Sequence, residues 1–413
     1  MPGELTLRMI TVDPDVRTTP HLLSDIGPTA CSGRLAERSR LEWRYGSGGD
    51  PALLLAGFLT EAGLSIPDRS DVFVDNSAWR DIHAGVDRGV CGAAVFISAA
   101  AGAAMIGAPV GPPSPVPAVP DLVAVLFEHG PPPAGPPSAR PGPGGWALDA
   151  WRPSWTPHEH AAGVRRVRAA IADGEVYQVN LVGHASAAYD GDPAGALHRV
   201  TRLPGARYSG VLSGDGWALA CASPETLVEV RGGRAVTRPI KGTRPATVRG
   251  RAELLASAKE RAEHVMIVDL ERNDLARIAR TGSVRVDELY AVRRWCDLWQ
   301  AESTVSAQIE PGAGLADLLR ALCPGGSVTG APKRAALDVI AALEPVGRGP
   351  SMGAFGWIGP ERIDLGLTIR TVAVDADRVH VWAGGGITWG SDPDAEVAEA
   401  AAKAAPLRAA LRG

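Results

Sequence analysis

Lys241 lies in the string Thr237-Arg238-Pro239-Ile240-Lys241-Gly242-Thr243-Arg244-Pro245, a lysine fenced by arginines between a proline and a glycine. Neighbouring cations and partial burial both disfavour the ammonium form, so a neutral, nucleophilic amine becomes accessible near neutral pH. A solvated lysine in a basic loop has the same local sequence, and the residues before it decide between the two. Residues 226–230 alternate as a strand, Gly232-Gly233 makes a two-residue turn, and 235–238 form the return strand. This register sets Glu225 opposite Ile240, so the Ser223-Pro224-Glu225 corner and Lys241 emerge together at the open end of one hairpin. A carboxyl beside an amine suits general acid work next to a nucleophile, and it equally suits a surface ion pair.

Two further segments pair glutamates at i,i+3 spacing, Glu260 with Glu263 and Glu396 with Glu399. On a helix each pair shares a face, where like charges are unfavourable unless a cation sits between them; Mg²⁺, a hard ion held by one or two carboxylates, is the natural candidate. Solvated faces paired with Lys259, Arg261 or Lys403 are the alternative. The run Pro324-Gly325-Gly326-Ser327-Val328-Thr329-Gly330-Ala331-Pro332-Lys333 reads as a glycine-rich loop opening a helix, an anion site built from free N–H groups or a simple tight turn. It is not a Walker A loop, because Ala331 and Pro332 separate Gly330 from Lys333. Gly384-Gly385-Gly386 after a strand permits close backbone approach to an anion without matching a dinucleotide fingerprint. Arg370, on a strand, is placed to clamp a carboxylate or to make a structural ion pair.

The elements that must position these residues follow from pattern. From residue 151 onward the sequence predicts helices over 158–172, 252–280, 332–343 and 393–411. Strands are expected over 176–182, 208–212, 217–222, 354–358, 367–374 and 379–382. They do not alternate regularly with helices, which favours α+β with mainly antiparallel sheets over a doubly wound fold. Residues 1–110 read as a variable N-terminal lobe and 111–150 as a Pro/Gly-rich connection with one short strand at 122–127, leaving 151–413 as the catalytic domain. Residues 89–120 carry no charge but are rich in Ala, Gly and Pro, so we expect buried strands at 90–97 and 103–106 there and no membrane span. No signal peptide is expected at the N-terminus. The 413 residues hold 42 Lys plus Arg against 46 Asp plus Glu, a net charge of -4 with no basic stripe, which argues against a nucleic-acid partner. Five cysteines without CxxC spacing suit reduced thiols and a cytoplasmic location. Gly89-Val90-Cys91-Gly92 lacks the residues that would complete a glutaminase nucleophile turn, so the chain carries no ammonia source of that kind.

Taken together, Gly174 to Leu181 (GEVYQVNL), Ser223-Pro224-Glu225, the Pro239–Thr243 string, KERAEHVMIVDLERND over 259–274, the glycine-rich loop, Thr368 to Thr371 and the segment 383–399 resemble the chorismate-utilising enzymes, most closely their aminodeoxychorismate synthase component I branch. The resemblance covers about 151–413 and implies antiparallel sheets packed face to face with helices on the outside. It implies amination of chorismate at C4 on the route to 4-aminobenzoate, with ammonia from a glutamine amidotransferase subunit. Anthranilate or aminodeoxyisochorismate synthesis, or a weakly active scaffold regulating the glutaminase, are the rivals. By resemblance, Lys241 attacks the ring, Glu225 assists the leaving hydroxyl, and Glu263 with Glu399 hold Mg²⁺, supported by Glu260 and Glu396. Gln178 stands where water-adding members carry a lysine base, which points to ammonia as the nucleophile. Arg370 and Gly384, Gly385 and Gly386 receive the enolpyruvyl carboxylate, and Gly242, Thr243, Thr329, Gly330, Lys333 and Lys403 complete the implied substrate site. Two positions depart from the family pattern: Gln300 replaces a histidine and Ser351 replaces an aromatic residue.

Overall fold

The computed structural model describes residues 35–66, 89–129 and 145–412. The expected loop at 131–145 lies almost wholly outside them. In chain order the first elements are β1 (Leu35–Trp43), α1 (Pro51–Glu61), β2 (Val90–Ile97), α2 (Ala99–Met105) and β3 (Leu122–His129). Short strands β4 (Ala147–Leu148) and β5 (Arg152–Pro153) precede α3 (Pro157–Ala172), the long β6 (Gln178–Asp190) and α4 (Ala194–Thr201). Then come β7 (Tyr208–Gly214), β8 (Trp217–Ser223), β9 (Thr226–Arg231), β10 (Arg234–Arg238) and β11 (Ile240–Pro245). Helices α5 (Val248–Ala256) and α6 (Ala258–Ala276) lead into the hairpin β12 (Arg285–Trp295) and β13 (Leu298–Gln308). The chain closes with α7 (Leu315–Leu322), β14 (Gly330–Ala331), α8 (Lys333–Leu343), β15 (Ala354–Ile358), β16 (Arg362–Leu367), β17 (Thr371–Val374), β18 (Arg378–Ile387) and α9 (Pro393–Arg412).

Two antiparallel sheets result. One has ten strands in the order β1-β3-β2-β15-β16-β9-β10-β13-β11, with β12 also on β13; the other has eight, β14-β6-β18-β17-β8-β7, with β4 and β5 also on β6. Strands from residues 35–129 thus continue the same sheet as those beyond residue 226. Side-chain alternation sets the layers. Leu219, Cys221 and Ala373 of the eight-stranded sheet share one core with Val95, Phe355 and Leu365 of the ten-stranded sheet, so the sheets pack face to face. Ala220, Ala222, Val372 and Val374, pointing the other way, pack against Leu197 of α4 and Leu407 and Leu411 of α9 on the outside. Among the described residues no helix is long and apolar enough to cross a membrane.

Three expectations are corrected. Residues 103–106 are not a strand: they end α2, an alanine-rich helix whose first turn Ser98 caps by accepting the Ala101 N–H at 3.0 Å. The helix expected over 252–280 breaks at Ser257, which ends α5 and caps α6 by accepting the Glu260 N–H at 3.2 Å. The strand expected over 367–374 is two strands in different sheets, β16 and β17. The chain crosses between sheets at 368–370, where Arg370 takes the left-handed conformation with φ 54°. Gly366 makes room at this crossing, since a Cβ there would lie 2.2 Å from the ring of Tyr208 in the other sheet.

Under the glycine-rich loop lies a buried charge cluster. Lys333 Nζ meets Asp274 Oδ2 at 2.7 Å, with the side chains 10% and 4% exposed. Glu271 lies beside them, accepting from the Thr237 hydroxyl at 3.3 Å. Two carboxylates share one lysine here, so one of them holds a proton. Burial first, then Asp274, pushes the Glu271 carboxyl up to about 8 against the pull of Lys333. Because the folded chain keeps a proton that the unfolded chain releases, stability falls as pH rises from roughly 4.5 toward 8. Glu271→Gln should flatten that slope and leave the variant more stable than the parent at pH 8, measured by urea unfolding at pH 5, 6.5 and 8. Parallel profiles for the two proteins would sink this assignment.

Candidate active site

The hairpin of β9 and β10 keeps the register set by its glycine turn through Val236 opposite Glu229, then slips at a bulge before Arg238. Pro239 ends the return strand, and β11 continues along β13 instead. Glu225 nevertheless reaches Ile240: its Oε1 accepts the Ile240 N–H at 3.1 Å and the Ser327 hydroxyl at 2.5 Å. Lys241, one residue on, donates from Nζ to the carbonyl of Ser327 at 3.0 Å. Ser327 therefore stands between the two, hydroxyl to the carboxyl and carbonyl to the amine. Burial pushes the Glu225 carboxyl up and the Lys241 amine down from their ordinary values, each opposed by the charge of the other. Both shifts run toward the neutral forms, the direction an acid beside a nucleophile would need.

These groups open onto a cleft of about 810 Å³, its mouth included, between β11, the glycine-rich loop, β18 and the first turns of α6 and α9. Gly242 bulges out of the β11–β13 ladder with φ 70°; a Cβ there would lie 2.7 Å from Leu254 and 3.1 Å from Glu260. Opposite it, β18 presents three glycines. A Cβ at Gly386 would lie 2.4 Å from Gln178 Nε2 and 2.9 Å from Lys241 Nζ, and one at Gly385 would lie 3.1 Å from Glu396 Oε2. The missing side chains let the amine, the amide and the carboxylates close on bare backbone.

The break at Ser257 puts Glu260 and Glu263 in the first two turns of α6, and Pro393 does the same for Glu396 and Glu399 in α9. The positive ends of two helices thus face the cleft with the carboxylates upon them. Three of the four also have an ion-pair partner: Arg244 meets Glu260 at 3.0 Å, Lys259 meets Glu263 at 3.6 Å, and Lys403 meets Glu399 at 2.6 Å. Thr388 donates to Glu263 at 2.7 Å, and Lys403 also donates to the Gly384 carbonyl at 2.9 Å. Burial raises the Glu260 and Glu396 carboxyls, and neighbouring glutamates raise them further. Glu399 is also burdened by burial, yet Lys403, Lys241 and Arg244 together hold it below the usual range. Among the described residues no three acidic, histidine or cysteine side chains converge tightly enough to cage a metal unaided.

Arg370 lines the same cleft, buried, with its guanidinium 4.5 Å from the ring centroid of Trp295. Its Nε has no partner among the described residues, and burial pulls its pKa down to about 10. A buried arginine with a spare donor is built to receive an anion. Gln178, 1% exposed, lies behind Gly386 with both amide atoms unpartnered.

The structure thus brings Glu225, Lys241, Gly242, Thr243, Arg370, the three glycines, the four glutamates and Lys403 around one space. Thr329, Gly330 and Lys333 do not line it. The glycine-rich loop forms a tight turn at Gly326–Val328 and faces the cleft with a carbonyl and a hydroxyl rather than a nest of N–H groups. Thr329 donates back to Gly325, Gly330 pairs with Val179, and Lys333 serves Asp274. Gln300 lines the cleft opposite Thr243 in the ladder, whereas Ser351 is fully buried and donates to the Thr368 carbonyl. Sequence reasoning missed Ser327, Asn180 and Trp382 as lining residues. Two of them had a signal, Ser327 in its place amid the glycines and Asn180 inside the GEVYQVNL segment.

Residues 120–409 match the family model described as chorismate binding enzyme. Aminodeoxychorismate synthase component 1 of Salmonella typhimurium is 40% identical over 257 residues, 60% of this chain and 57% of that protein. Anthranilate synthase component 1 of Streptomyces coelicolor is 38% identical over 287 residues, 68% of this chain and 56% of that protein. The chain spans little more than half the length of these curated relatives. Among solved structures, anthranilate synthase component I from Streptococcus pneumoniae superposes with a TM-score of 0.71 at 23% identity, covering 96% of this chain and 95% of that one. The menaquinone-specific isochorismate synthase MenF from Escherichia coli gives 0.61 at 18%, covering 87% and 100%, and both show the same fold. The matched segment takes in every residue of the cleft, from Asn180 to Lys403, and the chain belongs to the chorismate binding enzymes.

Proposed function

We propose that this chain aminates chorismate at C4 to give 4-amino-4-deoxychorismate. The observation that carries the reading is the Glu225–Ser327–Lys241 arrangement, with the unpartnered amide of Gln178 backing the same wall. In the first step the Lys241 amine forms a C–N bond at C2 of the ring, both ring double bonds shift by one position away from C2, to C1=C6 and C4=C5, and the C4–O bond breaks. The departing hydroxyl takes the Glu225 proton and leaves as water. In the second step ammonia forms a bond to C4, both double bonds shift back, and the C2–N bond breaks to release Lys241. The excess proton on the incoming nitrogen returns to the Glu225 carboxylate, so the balance is chorismate plus ammonia to product plus water. Arg370 and the backbone of Gly384 to Gly386 orient the enolpyruvyl carboxylate, and Gln178 holds ammonia near Lys241. The oxygen donors of Glu263 and Glu399, with Glu260 and Glu396 behind them, fit Mg²⁺, which takes few protein carboxylates and completes its shell with water and an anionic substrate. Bound there, the ion supplies charge neutralisation at the ring carboxylate.

Ammonia comes from a separate glutamine amidotransferase subunit, in keeping with the component 1 names of the relatives. The four described cysteines are buried and unbridged, which suits the reducing cytoplasm as the place of reaction.

The test is purified chain with chorismate, Mg²⁺ and an ammonium salt, the product identified by mass and by its response to aminodeoxychorismate lyase. We expect 4-aminobenzoate only after lyase addition; anthranilate without lyase would overturn the reading, and no turnover even with a glutaminase partner would favour a regulatory scaffold. Lys241→Ala should abolish the C4-aminated product, and undiminished formation would refute its role as nucleophile. Glu225→Gln, which cannot supply the proton, should lower kcat by about 10²- to 10⁴-fold with a smaller change in KM. EDTA should stop turnover and added Mg²⁺ restore it; a chelated enzyme at full rate would remove the metal from the scheme.

A further inference from the structure

On the edge away from β18, strand β6 has no paired strand between Val179 and Ala185, where the cleft begins. Its edge partner β14 covers only Gln178 and Val179, and the chain before β14 turns away to form the Ser327 loop. Buried backbone groups on a sheet edge must be satisfied by something else. Here an ion pair takes the place of a strand. Glu344, at the C-terminal end of α8, accepts the Val182 N–H at 3.0 Å. Arg348 donates from Nη2 to the Asn180 carbonyl at 2.6 Å and from Nη1 to the Val328 carbonyl, also at 2.6 Å. Its Nε and Nη2 hold both oxygens of Glu344, at 2.8 and 2.7 Å. The two side chains are 7% and 3% exposed.

One guanidinium thereby spans the two walls of the cleft. Val328 follows Ser327, whose two oxygens serve Glu225 and Lys241. Asn180 and Val182 pair across the ladder with Gly386 and Gly384. We propose that Arg348, held by Glu344, is a positioning residue: it fixes Ser327 relative to the glycine wall and, through Ser327, sets the placement of Glu225 and Lys241. Lysine cannot replace it, because a single ammonium cannot serve two diverging carbonyls and a bidentate carboxylate at once.

The kinetic consequence rests on the amination reading, so the test has a second readout that does not. Arg348→Lys should lower kcat by about 10- to 100-fold while KM for chorismate stays within about threefold. In a Ser327→Ala background the same change should cost less than it does in the parent, because the hydroxyl path to Glu225 is already cut while the carbonyl path to Lys241 remains. Independently, the rate at which acetic anhydride acylates Lys241 at a fixed pH, followed by mass spectrometry, should differ between parent and variant while an exposed lysine reacts equally in both. If Arg348→Lys does not fold, Glu344→Gln takes its place in all three measurements, since it keeps the acceptor for Val182 but weakens the hold on the guanidinium. Unchanged kcat and unchanged Lys241 acylation, or losses that add fully to those of Ser327→Ala, would overturn the proposal. Should the parent form no product from chorismate, the amination reading fails and Lys241 acylation alone decides whether Arg348 positions the amine.

Discussion

Everything at the site depends on how a lysine and a carboxyl are buried side by side. Taking two opposite charges out of water costs several kcal/mol per ion, and a direct contact would recover part of that by locking both in their charged forms. Ser327 stands between the two. Its hydroxyl gives Glu225 a donor at 2.5 Å, which favours the carboxylate, and its carbonyl gives Lys241 an acceptor at 3.0 Å, while each group still feels the other's charge. Burial then pushes both toward neutrality, the carboxyl upward and the amine downward. The same arrangement on the surface would make a weak ion pair; depth is what shifts both groups.

Two sheets are needed to hold it. Lys241 comes from β11 at the edge of the ten-stranded sheet, Glu225 immediately precedes β9 in its interior, and Gly384 to Gly386 come from the eight-stranded sheet. Arg370 sits where the chain passes between them, and its left-handed backbone turns the guanidinium toward Trp295 and into the cleft. The negative wall is built from helix starts: two N-termini deliver four glutamates against a strand stripped of side chains at the point of contact. Arg244, Lys259 and Lys403 each meet one of these carboxylates, so three of the four have a cation in contact.

Much of this was legible before any coordinates. The Gly232-Gly233 turn fixed the hairpin register closely enough to pair Glu225 with Ile240, although a bulge and Pro239 intervene. The glutamates were legible as i,i+3 pairs, and the glycines as places where backbone must come close. What escaped were decisions made by tertiary contact. Nothing in residues 367–374 announces a change of sheet, because both halves read as apolar strand. The break at Ser257 leaves the helical pattern on either side intact and shows only as a cap. The glycine-rich loop was readable as a tight turn near an ion, but not as one that turns carbonyl oxygens inward; that choice is made by Lys241, which requires an acceptor. Lys333 belongs to the same lesson, since its partner Asp274 lies a whole helix and hairpin away in sequence.

The loop carrying Ser327 is flanked by two buried ion pairs, Lys333 with Asp274 on one side and Arg348 with Glu344 on the other. Apolar side chains of the same volume would cost less to bury, and in many proteins such a replacement is neutral or stabilising. Stability is therefore a poor account of why charges are used here. A methyl group fills space but cannot dictate where a carbonyl oxygen stands, whereas a guanidinium bonded to the carbonyls of Val328 and Asn180 fixes both to within hydrogen-bond tolerance. Glycines at 325, 326 and 330 leave the loop with little side-chain packing of its own to define it. Polar anchors supply from outside the definition that the loop's own composition lacks, at a serine on which both a buried carboxyl and a buried amine hang.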